Sequence, residues 1–108
     1  MRLVSLKKKN EFDRVFDKGK RYHGELLTVI VASAAGPSRM GIIVSKKFGG
    51  SVARNRVKRQ IREAFRSVAD GFTESVEIVA IPKGPVKKAR TPEIVKDLSS
   101  IVHRAGII

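Results

Sequence analysis

The stretch from Ala53 to Arg66, ARNRVKRQIREAFR, constrains the fold more than any other part of the chain. Val57, Ile61, Ala64, Phe65 and Val68 recur at the spacing of one apolar helical stripe. Arg56, Lys58, Arg59, Arg62 and Arg66 occupy the rest of the cylinder, with Asn55 among them. At about 100° per residue, the basic arc centres opposite the apolar one. The spacing therefore predicts one helix, buried along one side and crowded with cations along the other. Like charges so close repel, and a polyanion relieves that repulsion.

The charge of the whole chain points the same way. Net charge is +13, and residues 1–66 carry 17 Lys/Arg against 5 Asp/Glu. Residues 67–108 are nearly balanced, with 6 against 5. A surface evolved for solubility alone would mix its charges. A phosphate backbone is the expected partner. An anionic membrane fits less well, because an interfacial helix wants large aromatics along its apolar side. No apolar run approaches the roughly 20 residues needed to cross a bilayer. Lys7-Lys8-Lys9 leads into Asn10-Glu11, not into the apolar core of a secretory signal. With no cysteine, disulfides, zinc–thiolate sites and thiol chemistry are excluded, and the cytoplasm is the expected location.

The 108 residues suit one domain, 1–108, with one modest core. Asn10 is the expected N-cap of a first helix carrying Phe12, Val15 and Phe16 on one side, with Gly19 as its stop. Lys20 to His23 reads as a short extended piece. Glu25 to Ala34 reads as a strand buried on both faces. Arg39 to Ser45 reads as a second strand, antiparallel to it across a short turn. Ser51 is the expected cap of the basic helix, which runs to about Ala69. Ser75 to Ile81 is a further strand, closed by Pro82. Thr91-Pro92-Glu93 opens a last helix, about 92–104, with Ile94, Leu98, Ile101 and Val102 facing inward. The fold class expected is α+β: a small two-layer sandwich, a mixed sheet of about four strands with three helices, in the order αβββαβα.

Two blocks carry a family resemblance. One is Leu6-Lys7-Lys8 with Asn10-Glu11-Phe12 and Val15-Phe16. The other is Val44-Ser45-Lys46-Lys47-Phe48-Gly49, then Val52-Ala53-Arg54-Asn55-Arg56-Val57-Lys58-Arg59 and Arg62-Glu63-Ala64-Phe65. The chain resembles the protein subunit of bacterial ribonuclease P over essentially its whole length. The resemblance implies an RNA-binding component of an endoribonuclease. In it the RNA subunit is the catalyst, cleaving the 5′ leader from precursor tRNA with magnesium held by RNA. The protein would bind the leader and the RNA subunit and improve substrate and metal affinity. It further implies that Arg54, Asn55, Arg56, Lys58, Arg59 and Arg62 face RNA, and that Phe12, Phe16, Val29, Lys46 and Lys47 line a cleft for the single-stranded leader. A left-handed crossover through the basic helix is also implied, against the general right-handed preference. One departure stands out. Where relatives often place an aromatic in the strand after the first helix, this chain has Thr28, Val29 and Ile30.

Several residues carry a plainer alternative. Phe12 and Phe16 are an ordinary i, i+4 core pair as well as candidate stacking rings. Arg54 projects nearest the apolar stripe, as an RNA contact or a brace. Asn55 serves as a helix-start residue or as a sugar and phosphate contact. Gly49-Gly50 reads as a tight turn before it reads as an anion cradle. Lys83, Lys87, Lys88 and Arg90 form a basic loop, either solvated or a second RNA contact. His23 and His103 read as surface residues. Asp13 and Asp17 share a helix face, but two carboxylates without a third ligand make a weak metal site. No protein residue is assigned to catalysis. The competing functions are another RNA-binding module such as a small ribosomal protein, a nuclease acting through Asp13 and Asp17, and a DNA-binding protein. The last would place its basic helix in a helix-turn-helix, not between strands.

Overall fold

The segment LTVIVAS fixes the centre of the molecule. Leu27, Thr28, Val29 and Ile30 are all buried, so the strand has apolar layers on both sides. In the computed structural model, which describes residues 4–108, the order is β1 (Val4–Ser5), α1 (Lys9–Lys18), β2 (Lys20–His23), β3 (Leu27–Ser33), β4 (Arg39–Ile42), α2 (Ser51–Ala69), β5 (Val76–Pro82) and α3 (Thr91–Arg104). The first three residues of the expected 1–108 domain lie outside the described residues. Three helices and a mixed sheet match the expected α+β class, with five strands in place of about four. The additional strand, β1, is two residues long.

Sheet order is β1-β4-β5-β3-β2. β3 is antiparallel to β2 and β5, while β4 is parallel to β5 and β1. β4 does run antiparallel to β3, as expected, but the two do not pair as a hairpin: β5 lies between them. The link that bridges it also clamps its start. Ala34 N donates to Ser75 O at 3.1 Å, and Val76 N donates to the buried Ser38 Oγ at 3.1 Å. The strand–helix–strand crossover from β4 through α2 to β5 is present.

Alternate residues of the sheet feed two cores. Leu27, Val29, Met40, Ile78 and Ala80 pack with α2 and α3 through Ile61, Phe65, Leu98 and Ile101. Ile30, Ala32 and Val79 pack with Leu6 and with Val15 of α1. The two-layer description holds on the α2/α3 side, and α1 adds a partial third layer on the other. Among the described residues no helix is long and apolar enough to cross a membrane.

Helix starts differ from expectation by one or two residues, in α1 and α3 for one reason. A glutamate in the first turn reaches back, as in a capping box, so the helix begins before the small polar residue. Glu11 Oε1 accepts from Lys7 N at 3.0 Å and Lys8 N at 2.8 Å, which puts Asn10 inside α1. Glu93 Oε1 accepts from Arg90 N at 2.9 Å, which puts Thr91 inside α3. Ser51 is likewise the first residue of α2 and not its cap, which is Gly50. Gly49 and Gly50 take extended and negative-φ conformations, so the tight positive-φ turn is not formed. The one positive φ among the described residues is at Gly106, where α3 ends.

Candidate nucleic-acid interface

On α2 the apolar stripe is as expected: Val57, Ile61, Ala64, Phe65 and Val68 are buried. The cations fill the rest of the cylinder, with Arg56, Arg59, Arg62 and Arg66 exposed. Arg54, Lys58, Arg62 and Arg66 follow one another every four residues and form a ridge along one flank, about 18 Å long. Arg54 and Lys58 are half-buried where the ridge meets the protein; Asn55, Arg56, Arg59 and Arg62 are exposed. Arg54 Nε is fully enclosed without a hydrogen-bond partner among the described residues, which favours its reading as a brace next to the apolar side. None of the α2 arginines or Lys58 forms a salt bridge with a carboxylate among the described residues. The first turn of α2 carries no acid and no side-chain cap, so the positive end of the helix dipole adds to the same field.

The ridge borders the β4 edge of the sheet. β1 covers β4 only at Arg39 and Met40. Beyond it, Lys58 and Arg62 share a depression of about 130 Å³ with Gly41, Ile42 and the ring of Phe12. Phe12 reaches that place because β4 has a glycine there. A Cβ on Gly41 would stand 2.4 Å from Phe12 Cε1.

α1 crosses the middle of the opposite sheet face and leaves two unlike flanks. On one flank the charges are paired. Arg14 donates to buried Glu77 through Nε at 3.1 Å and Nη2 at 2.5 Å, and Arg39 Nη1 donates to Glu11 Oε2. The hydrogen bond and charge of Glu77 raise the Arg14 pKa. The Lys8 and Lys7 amides, with Arg39 adding its charge, hold the Glu11 carboxyl below its ordinary value.

The other flank is apolar and open. Phe12 and Phe16 are half-buried, above Ile43 and Ile81, which are also half-buried. Strand pairing continues this row through Thr28 to His23, whose Nδ1 lies 3.1 Å from Thr28 Oγ1. Lys46 and Lys47 are exposed in the short turn after β4, anchored by buried Phe48. The geometry thus joins Phe12 and Phe16 with this strip, and Lys46 and Lys47 stand beyond the end of β4.

Val29 does not belong there. It is 0% exposed and packs on the α2/α3 side of the sheet, so its assignment to the cleft is corrected. Its neighbours Thr28 and Ile30 face α1. Ile43, Ile81, Thr28 and His23 were missed by sequence reasoning. A strand that is apolar on both faces shows no alternation from which to choose its cleft side. Asp13 and Asp17 are exposed on α1, and no three metal-ligating side chains come together among the described residues. His103 is exposed, with Nδ1 2.7 Å from Ser99 O.

Known proteins place this geometry in a family. The family model described as ribonuclease P matches residues 1–106. A ribonuclease P protein component from Clostridium novyi is 36% identical over 105 residues, covering 94% of this chain and 93% of its own. One from Clostridioides difficile is 35% identical, covering 98% and 95%. Among solved structures, a Staphylococcus aureus RNase P protein mutant described as defective in mRNA degradation superposes with a TM-score of 0.87 at 29% identity, over 97% of this chain and 90% of that one. The RNase P protein of Thermotoga maritima gives 0.83 at 28% identity, over 93% and 96%. The ridge, the open strip and these similarities lead to one assignment: the chain belongs to the ribonuclease P protein family.

Proposed function

We propose that this protein is the RNA-binding subunit of a cytoplasmic ribonuclease P, assisting a catalytic RNA in removing the 5′ leader from precursor tRNA. The observation that carries the reading is the shared depression at the β4 edge, where Phe12 meets Lys58 and Arg62. It makes the apolar strip and the cationic ridge one continuous surface. The strip crosses β4, β5, β3 and β2, about 14 Å at ordinary strand spacing, room for roughly four stacked bases. Half-exposed rings of Phe12 and Phe16 stack on bases of any sequence, which suits a leader that differs among substrates. The ridge, with Lys46 and Lys47, accepts phosphates of the RNA subunit and of the strand leaving the strip. The work done is positional: binding energy holds the scissile region in register with the RNA's reacting groups.

Magnesium belongs to this reaction through the RNA. Asp13 and Asp17 share a face of α1 without a third ligand among the described residues, and no step is assigned to a protein-held ion.

The test is reconstitution. Protein alone should leave precursor tRNA intact, and protein with the RNA subunit should cut faster at low magnesium than the RNA alone. Cleavage by protein alone that vanishes in Asp13→Asn would establish the nuclease reading instead. Phe16→Ala should lower affinity for leader-bearing precursor about tenfold and leave leaderless tRNA unaffected. Equal losses on both would remove the leader strip from the account.

A further inference from the structure

A second feature of α2 faces away from the leader strip. Between the helix and the 3₁₀ turn Gly84–Lys88 lies a cavity of about 140 Å³. Its walls are apolar: Phe48, Val57 and Val86 are buried, and Ala53 completes them. Gln60 lines the same space and is only 8% exposed. Its Nε2 donates to Ala89 O at 3.4 Å, a long bond, and its Oε1 has no protein partner among the described residues and is not fully enclosed. An acceptor without a protein partner, on a largely buried residue that lines an apolar slot, is a recognition feature because it can pair with a donor on whatever enters.

The rim is cationic. Arg56 lines the opening from α2, and Lys87 from the turn. Lys87 Nζ sits 5.2 Å from the centre of the Phe48 ring. Lys88 and Arg90 follow on the same exposed stretch. Val52, 83% exposed, stands one turn before Arg56 on the outer side of the helix.

We propose that this cavity takes one unstacked base from the RNA subunit. Apolar walls accept a flat ring, Gln60 Oε1 accepts from an exocyclic amine, and Arg56 and Lys87 hold the flanking phosphates. An exocyclic amine selects adenine, cytosine or guanine and rejects uracil. The RNA subunit is the source because the leader strip lies on the opposite face of the sheet, against α1. This rests on the reading of α2 as an RNA-facing helix.

The experiment is base-specific chemical probing of the RNA subunit, free and bound, with matched binding titrations over a salt series. Wild-type protein should shield one base, not a uracil, from modification. Gln60→Leu and Ala53→Leu, which remove the acceptor and fill the slot, should restore its reactivity. They should weaken binding about tenfold without changing the salt slope, because no ionic contact is lost. Lys87→Ala, on the exposed rim, should lower the slope by about one. Thermal melting identifies any variant that fails to fold, and Lys87→Ala guards against losing both others that way. Identical protection patterns in wild type and the slot variants, or a Lys87→Ala slope equal to wild type, would overturn the proposal. Were Arg59→Ala and Arg62→Ala also to bind like wild type, the RNA-facing reading of α2 would fall with it. Normal losses at those two arginines with silent slot variants would sink the base pocket alone.

Discussion

Single residues decide how the cationic ridge and the apolar strip meet. Gly41 is the clearest case, since the Phe12 ring occupies the space a side chain would take. Gly41→Ala should cost about 1–3 kcal/mol by overpacking and push the ring out over the strip. Melting would register the first effect, and leader-dependent affinity should fall with it. Glu11 sets the start of α1 and holds Arg39. Its carboxyl is held below the ordinary value by those partners. The stability it contributes is therefore complete above the ordinary carboxylate range and is lost as pH falls through the depressed value. Glu11→Gln should lower the melting temperature by a few degrees at neutral pH, and the gap to wild type should close in acid. A gap that stays constant across a pH series would show that the charge is not what matters.

Among the elements, α2 was the most legible and β3 the least. The stripe Val57, Ile61, Ala64, Phe65 and Val68 was readable, because a helix with one wet side writes its burial as a period, whereas the burial of Gln60 and Ala69 was not. That Lys58 and Arg62 lie against the β4 edge was not, because a helical wheel does not say what flanks the helix. β3 was recognisable as a strand but silent about its two sides, which is how Val29 came to be placed in the cleft. The β3–β4 hairpin failed for a different reason. Short links favour adjacent strands, and the insertion of β5 between them rests on long-range pairing that no local signal announces, with Ser38 clamping Val76. A similar long-range bond fixes the β2–β3 turn. Asp97 of α3 accepts from Glu25 N at 2.9 Å and from Leu26 N and Leu27 N at 3.0 Å. Asp97→Ala leaves three amides to water or to nothing and should cost about 1–3 kcal/mol. Hydrogen exchange at those three amides should rise more than at the centre of β3. The ridge invites its own measurement. Lys58→Ala and Arg62→Ala should each lower the salt slope of RNA binding by about one.

At the scale of the molecule, opposite characters are sorted onto opposite flanks of α1. Paired charges lie on one side and half-buried apolar surface on the other. Spacing located the basic helix and the family resemblance pointed to Phe12 and Phe16; the structure brings Phe12 beside Lys58 and Arg62 at one sheet edge. That continuity depends on β5, which sits between two strands made long before it. Until Val76–Pro82 is synthesised and inserted, β3 and β4 have no common neighbour, and the loop through α2 must close first. A nascent chain halted before Ser75 thus carries all its arginines in α2 but has no framework to aim them. Premature, promiscuous capture of cellular RNA by such a fragment would be ionic and unselective, and selectivity would arrive with the last strand to dock.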